Sequence, residues 1–437
     1  MLQAYSERLL ATTLKDLVRR GTLDVALPGG RRLNFGDGTA PRASIRFTDA
    51  RAVLALLLDP DLRLGELFMD ERLVVEEGTI YDVLELLLRD ADAAPPNAAV
   101  RFLDAVRMSM RRFLQNNRPG RARANVAHHY DLDDRLYALF LDRQRQYSCA
   151  YFEHPEQDLD MAQLAKQRHI AAKLLVEPGQ RVLDIGCGWG GLTRYLVEVA
   201  GAGHATGITL SEEQLKGAQA LAARTAHPDA YAYRLEDYRA TTGKFDRIVS
   251  VGMFEHVGVG FHDTFFRKCR ELLADDGVML LHFIGNSDVP DFNNPWIEKY
   301  IFPGGHIPSM SEFTPAIERS GLVITDIEVL RLHYARTLRL WRERFLARRS
   351  EAVALYDERF ARMWEYYLSM AETAFRYQDI AVFQVQLARR QESVPLTRDY
   401  IAERKARLRR AEAGAQLPSL DEAGIPASPP TCLPNGA

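Results

Sequence analysis

The segment RVLDIGCGWGGLTRYL, residues 181–196, constrains the fold of this chain more than any other stretch. Val182 to Ile185 is a short apolar run of the kind that fills a buried strand, and it carries an acid, Asp184, near its end. Gly186, Gly188, Gly190 and Gly191 then crowd a turn, after which Leu192 to Val199 resumes helical spacing. A glycine turn between a strand and a helix lets a nucleotide-like ligand approach backbone that side chains would otherwise shield. The run is G-x-G-x-G and lacks the later glycine with which a dinucleotide site packs a pyrophosphate on a helix start. A tight structural turn is the competing reading, and the rest of the sequence has to decide between them.

Length and composition bound the answer. A chain of 437 residues predicts two or three domains, and 47% hydrophobic with 26% charged residues describes a globular protein with ample core. No apolar run reaches the roughly 18 residues of a membrane span, and Glu7, Lys15, Asp16, Arg19 and Arg20 argue against a signal peptide. Cys149, Cys187, Cys269 and Cys432 are scattered without a C-x-x-C pair, which speaks against a metal site or disulfide framework and fits a reducing cytoplasm. A net charge of −3 gives no global attraction to nucleic acid or anionic lipid, so any such attraction is local.

Within the first 95 residues, Thr22–Leu27, Arg31–Phe35 and Ser44–Phe47 read as short strands separated by glycine turns, followed by helical patterns at Asp49–Leu58 and Ile80–Arg89. The next segment, RFLDAVRMSMRRFL, places Phe102, Leu103, Val106, Met110, Phe113 and Leu114 on one helical arc. Arg101, Asp104, Arg107, Arg111 and Arg112 lie outside it, with Arg118, Arg121 and Arg123 beyond. This is either an interdomain strut packed by its apolar arc or a basic interfacial helix that meets anionic headgroups. From about residue 160 strands and helices alternate. Strands are expected at Arg181–Ile185, Ala205–Leu210, Ala230–Leu235, Arg247–Val251, Val278–Ile284, Val323–Leu330 and Ala381–Ala388. That alternation predicts a doubly wound, mostly parallel α/β sheet. The aromatic-rich helical stretch Leu338–Tyr377 interrupts the last strand pair, as a roof over an apolar channel or as ordinary helix-on-sheet core.

Ligands in such sheets bind beyond the carboxyl ends of the strands. Thr209, Ser211 and Gln214 follow the second strand and Asp237 the third; the bland alternative for each is a loop polar group or cap, and Ser211 with Gln214 also fits a capping box. Glu255 and His256 follow the fourth strand, and His282 lies within the fifth. Acids and histidines in such apolar text are costly to bury unless paired, and two of them beside a glycine loop point to chemistry.

Strand, acid and G-x-G-x-G together resemble the S-adenosylmethionine loop of Rossmann-like methyltransferases. QYSCAYF (146–152), DIGCGWGGL (184–192), GITLSEEQ (207–214), LEDY (235–238), VSVGMFEHVG (249–258), LLHFIG (280–285) and KYIFPGGHIPS (299–309) are more specific, as is the Tyr334 region before WRERFL (341–346). In these motifs the chain resembles the bacterial cyclopropane-fatty-acyl-phospholipid synthases, closely over about 120–390 and loosely before that.

The resemblance implies a class I methyltransferase fold of seven strands, preceded by a small α+β lipid-carrier-like domain. The expected division is 1–95 for that domain, 96–125 for a basic linker helix, 126–392 for the catalytic domain, and 393–437 for a largely disordered extension. The implied reaction adds a methylene group from S-adenosylmethionine across a cis double bond of a membrane phospholipid acyl chain. A bound bicarbonate acts as base, held by Cys149, Glu255, His282, Tyr334 and the backbone of Ile284. Cofactor positions carried over are Tyr147, Ser148, Gly186, Gly188, Thr209, Ser211, Gln214, Asp237 and Tyr238. A homodimer, peripheral to the inner face of the membrane, with no metal and no nucleic-acid partner, completes the expectation. Two rivals stay open: a relative that leaves a methyl or methylene branch, and a catalytically silent lipid-binding protein. From the residues alone, Glu255 could itself be the base.

Overall fold

The computed structural model describes residues 2–91, 96–114, 133–415 and 417. They group into two compact units, 1–113 with 291–303 and 338–379, and 114–290 with 304–337 and 380–437. This grouping differs from the division read from the sequence, because two internal segments of the expected catalytic domain belong to the first unit.

The first unit is built on a four-stranded sheet in the order β2-β1-β3-β4: β1 Thr22–Ala26, β2 Arg32–Gly36, β3 Arg42–Phe47 and β4 Leu73–Glu77. β1 runs parallel to β3, and the other pairings are antiparallel. The helix Leu2–Leu17 and the strand β4 were absent from the sequence reading. Helices Ala50–Leu58 and Pro60–Met69 start on Asp49 and Asp59, whose carboxylates accept from the Ala52 and Leu62 amides, and Thr79 and Asp82 close a capping box on Ile80–Leu88.

The long aromatic stretch 338–377 forms the helices His333–Ala347, Arg349–Leu355 and Glu358–Tyr377, and the last of these packs on the helices Ile80–Leu88 and Pro60–Met69 of this unit. A Cβ on Gly65 would lie 2.4 Å from Trp296 and 2.6 Å from Tyr366, so only glycine lets those rings close on the helix Pro60–Met69. Lys299 and Tyr300 reach Glu66 Oε1 at 2.7 and 2.9 Å, and Arg342 lies over the Tyr81 ring.

The basic segment is the helix Ala98–Leu114. Val100 is buried and Arg107 half-buried, 2.7 Å from Asp59 and over the Phe292 ring, while Phe102 is 73%, Met110 48% and Val106 37% exposed. Arg118, Arg121 and Arg123 lie outside the described residues.

The second unit holds a seven-stranded sheet in the order β10-β11-β9-β8-β5-β6-β7. Its strands are β5 Arg181–Ile185, β6 His204–Thr209, β7 Tyr231–Leu235, β8 Phe245–Val251, β9 Leu273–Asn286, β10 Val323–Val329 and β11 Ile380–Ala388. β11 is antiparallel to both of its neighbours, and the remaining pairings are parallel. This is the expected Rossmann-like, mostly parallel α/β sheet. The chain runs outward from β5 to β7 and returns at β8, so the strand order reverses between β5 and β8, where such sheets open a ligand crevice.

The expected disorder of 393–437 does not extend to the helix Asp399–Glu412. Its Glu412 carboxylate accepts from Arg168 at 2.8 and 2.7 Å and from Tyr195 Oη at 2.6 Å, tying it to helices behind the sheet. Residue 416 and residues 418–437 lie outside the described residues. Among the described residues no helix is long and apolar enough to cross a membrane.

Candidate active site

The glycine turn sits at the carboxyl end of β5, and its residues do different work. Gly186, Gly188 and Gly190 all have positive φ, at +82°, +55° and +75°. A Cβ on Gly190 would lie 2.5 Å from Tyr233 Oη, and one on Gly191 2.2 Å from Gln146 Nε2, so these two permit packing. A Cβ on Gly188 would meet nothing within 4 Å, and this residue lines a crevice. Asp184, nearly inaccessible, accepts from Thr193 Oγ1 at 2.7 Å; burial nevertheless raises its pKa to about 6.

Of the nine candidate cofactor residues, Tyr147, Ser148, Gly186, Gly188, Thr209, Gln214, Asp237 and Tyr238 line this crevice. Ser211 does not. Fully buried, its hydroxyl accepts from the Gln214 amide at 3.3 Å and caps the helix Glu212–Ala222, which is the bland reading of that position. Thr209 Oγ1 donates to Gln214 Oε1 at 2.9 Å, presetting the side chain that follows β6. Asp237 is gripped by Arg239, at 2.8 Å to Oδ1 and 2.6 Å to Oδ2, so a ligand amino group there would share an already paired carboxylate. Trp189 adds an aromatic wall, its ring 5.4 Å from Tyr137, which in turn is 5.3 Å from Tyr147.

The sequence reading missed what holds the segment 144–148. The helix Leu159–Leu174 lies beneath it with a buried polar row. Gln163 Nε2 donates to the carbonyls of Gln146 and Ser148 at 3.1 and 3.0 Å, Lys166 Nζ to Ser148 Oγ at 2.7 Å, and Gln167 Nε2 to Gln144 Oε1 at 2.9 Å. Lys166 is fully buried, and desolvation draws its pKa down to about 8 against the pull of Asp142, Cys149 and Asp184. The available signal was three polar residues at i, i+3 and i+4 in an otherwise Ala- and Leu-rich helix.

The second group gathers where β8 and β9 end. Glu255 lies on the short turn Phe254–His256 after β8. Its Oε1 accepts from the Ile284 amide at 2.7 Å, and its backbone carbonyl accepts from His306 at 2.9 Å. Oε2 has neither solvent contact nor a hydrogen-bond partner, and burial raises the carboxyl to about 7. The Ile284 N–H is thus already used by Glu255. His282 stands one pair away in β9; its carbonyl accepts from Gly252, its Nδ1 meets Gln384 Nε2 at 3.1 Å, and its Nε2 has no hydrogen-bond partner. Burial holds the ring well below the ordinary histidine range, hence neutral. Met253, His256 and Val257, from the same turn as Glu255, line the glycine crevice.

Cys149 and Tyr334 are both buried and are connected through backbone. Ala150 N donates to Thr337 Oγ1 at 3.1 Å and Phe152 N to His333 Nδ1 at 3.0 Å, seating the segment after Cys149 on the first turns of the helix His333–Ala347. Burial pushes the Cys149 thiol far up, so it remains protonated and is a weak donor rather than a nucleophile. The charge of Lys166 acts on both the Cys149 thiol and the His282 ring.

Comparison with known proteins gives this geometry a context. The family profile described as mycolic acid cyclopropane synthetase matches residues 117–385. Cyclopropane-fatty-acyl-phospholipid synthase of Escherichia coli (strain K12) is 38% identical over 353 residues, covering 81% of this chain and 89% of that protein. Tuberculostearic acid methyltransferase UfaA1 of Mycobacterium tuberculosis is 35% identical over 412 residues, 87% of this chain and 91% of that one. Among solved structures, mycolic acid cyclopropane synthase CmaA1 complexed with SAH and CTAB superposes with a TM-score of 0.57 at 36% identity, covering 61% of this chain and 97% of that one. With the profile spanning more than half the chain and the Escherichia coli relative matched over most of its length, the chain belongs to the mycolic acid cyclopropane synthetase family.

Proposed function

We propose that this chain is a cyclopropane-fatty-acyl-phospholipid synthase: it binds S-adenosylmethionine in the glycine crevice and adds a methylene group across a cis double bond of a phospholipid acyl chain. The observation that carries the reading is that Glu255 Oε2 and His282 Nε2 are buried without hydrogen-bond partners, while Met253, His256 and Val257 of the Glu255 turn line that crevice. Buried polar groups are almost always satisfied, so these two orphaned atoms are where a small polar ligand would fit. Bicarbonate fits this donor set, and when bound it would supply the base that takes a proton from the transferred carbon. Glu255, His282, Tyr334 and Cys149 would hold it, with the Ile284 amide acting through Glu255.

S-adenosylmethionine, when bound, supplies an electrophilic methyl group on a cationic sulfur. The chain's own residues have the other tasks. Tyr147, Trp189 and Tyr238 offer aromatic faces that favour positive charge. Asp237 offers acceptor oxygens to an amino group, and Gly188 leaves its backbone open to close approach. An alkene that accepts a methyl cation becomes positively charged, so the walls must exclude water until one proton is removed. A carboxyl poised near pH 7, as Glu255 is, can either share a proton with an anion or accept one itself.

A second reading is a branched-chain product from the same site, favoured by the similarity to tuberculostearic acid methyltransferase UfaA1 over 412 residues. One experiment separates the two. The chain is expressed in a bacterium lacking the activity, and its lipids are analysed by mass spectrometry and proton NMR. Upfield ring protons are expected; a mass gain without them would establish the branched product, and unchanged lipids would overturn both.

We also infer that the enzyme meets its substrate as a homodimer at the inner membrane surface, with the helix Ala98–Leu114 as contact. Exposed Phe102, Val106 and Met110 beside exposed Arg101 form an apolar strip with basic flanks, which suits an anionic lipid interface. Replacing Phe102 and Met110 with Asp is expected to reduce sedimentation with anionic vesicles about tenfold or more, leaving cofactor affinity unchanged by calorimetry. Undiminished vesicle binding would assign the contact elsewhere.

A further inference from the structure

Strand pairing sets Gln384 of β11 opposite His282 of β9, and Glu328 of β10 opposite Gln384. Directly opposed residues leave a sheet on the same face. Glu328, Gln384 and His282 therefore form one row across three strands. The helix Leu159–Leu174 covers this row, with His169 Nε2 2.8 Å and Lys173 Nζ 3.0 Å from Glu328 Oε2. Gln384 is completely buried and His282 nearly so.

In the middle of the row, Gln384 Nε2 lies 3.1 Å from His282 Nδ1. With the amide in this orientation its NH₂ donates and Nδ1 presents its lone pair, while Gln384 Oε1 is left without a hydrogen-bond partner. A neutral imidazole carries one proton, which is then on Nε2, the nitrogen left without a protein partner. Burial, reinforced by the positive charge of Lys166 and Lys173 and by His169, and opposed by Glu328, keeps the ring neutral.

We propose that Gln384 is a positioning residue that locks His282 as the Nε2–H tautomer and so makes it a hydrogen-bond donor to an oxygen-bearing anion or carboxylate in the proton-removing site. This rests on the reading that His282 belongs to that site. It also has a chemical consequence. A ring whose Nε2 already carries hydrogen cannot take a proton there, so His282 is not the general base. Proton removal falls to Glu255 or to an anion held beside it.

The tautomer is read directly by ¹⁵N NMR of the full chain labelled at histidine, with the His282 signals identified by their loss in His282→Gln. The native spectrum is expected to show a protonated Nε2 and an unprotonated Nδ1. Gln384→Met keeps the length of the side chain and removes the donor. It is expected to lose the single-tautomer signature and to lower kcat about 10- to 100-fold, as loss of an orienting partner does, with the S-adenosylmethionine KM within about twofold. A proton on Nδ1 in the native chain overturns the proposal, whatever the variant does. So does a Gln384→Met protein with native kcat and an unaltered ring spectrum. Full turnover in His282→Gln would overturn the site reading itself, whereas the ¹⁵N result on the native chain stands apart from turnover.

Discussion

Glu255→Gln is expected to lower turnover by roughly 10²-fold or more and, in the same protein, to raise stability at alkaline pH. The substitution keeps the shape and the acceptor that takes the Ile284 amide at 2.7 Å, so cofactor binding should survive. What it removes is a carboxyl that burial has moved from the usual 4.5 to about 7. The sign follows from proton counting. Between those values the folded chain keeps a proton that the unfolded chain has released, so stability falls as pH rises through about 4.5 to 7 and stays reduced above it. A shift from 4.5 to about 7 corresponds to roughly 3 kcal/mol. The glutamine amide leaves an unpaired donor where Oε2 had been, returning about 1–2 kcal/mol of that gain. Urea unfolding should therefore find the variant about 1–2 kcal/mol more stable near pH 8 and no more stable near pH 5. Calorimetry and a lipid methylation assay supply the other half. Near-native turnover would remove Glu255 from the reaction, and equal stability gains at both pH values would mean its carboxyl is not strained by burial.

That tension between stability and chemistry is also why part of the site was legible beforehand. A carboxylate after VGMF and a histidine inside LLHFIG violate the apolar text around them, and such violations mark function. The large sheet was legible for a related reason: strands covered on both faces read as apolar runs, as Val182–Ile185 and Val278–Leu281 do. Gln384 carried the same kind of signal, a fully buried amide in AVFQVQL, yet a neutral polar residue in a strand announces itself less than a charge. Lys166 was hidden because its helix is buried nearly all round, which erases the amphipathic period that would have singled out a polar face. The helix Asp399–Glu412 was hidden by its charge. Arg404 pairs with Glu177, Lys405 with Glu153 and Glu412 with Arg168, so residues that read as a solvated tail are fastened by partners about 230 to 250 positions away. The place of the aromatic stretch was unreadable for the same reason of distance. Periodicity shows that Glu358–Tyr377 is helical, but its partners, Asp70 for Arg359 and Glu85 for Tyr377, lie about 290 residues earlier.

Gly188→Val is expected to abolish S-adenosylmethionine binding while leaving the second unit folded, and the glycines around it make this a discriminating test. In the protein itself the added side chain meets no atom within 4 Å of its Cβ; its cost to folding comes from φ at +55°, where a β-branched residue is strained by roughly 1–3 kcal/mol. Gly188 lines the crevice, where a ligand would rest against backbone and an added side chain would compete with it. Gly190→Ala reverses the balance. Its Cβ would lie 2.5 Å from Tyr233 Oη, and at φ +75° the backbone is strained as well, so the loss should fall on stability first. Gly207→Ala, with a Cβ 2.7 Å from the Tyr233 ring and 2.9 Å from Cys187 Sγ, should behave like Gly190→Ala. Thermal unfolding and calorimetric titration of the three variants give two orderings. If the crevice is the cofactor site, Gly188→Val lies last in affinity, weaker by about 10²-fold or more, and first in stability. A folded Gly188→Val protein with native affinity would make the turn at 186–190 structural only, and the cofactor would have to be sought elsewhere in the fold.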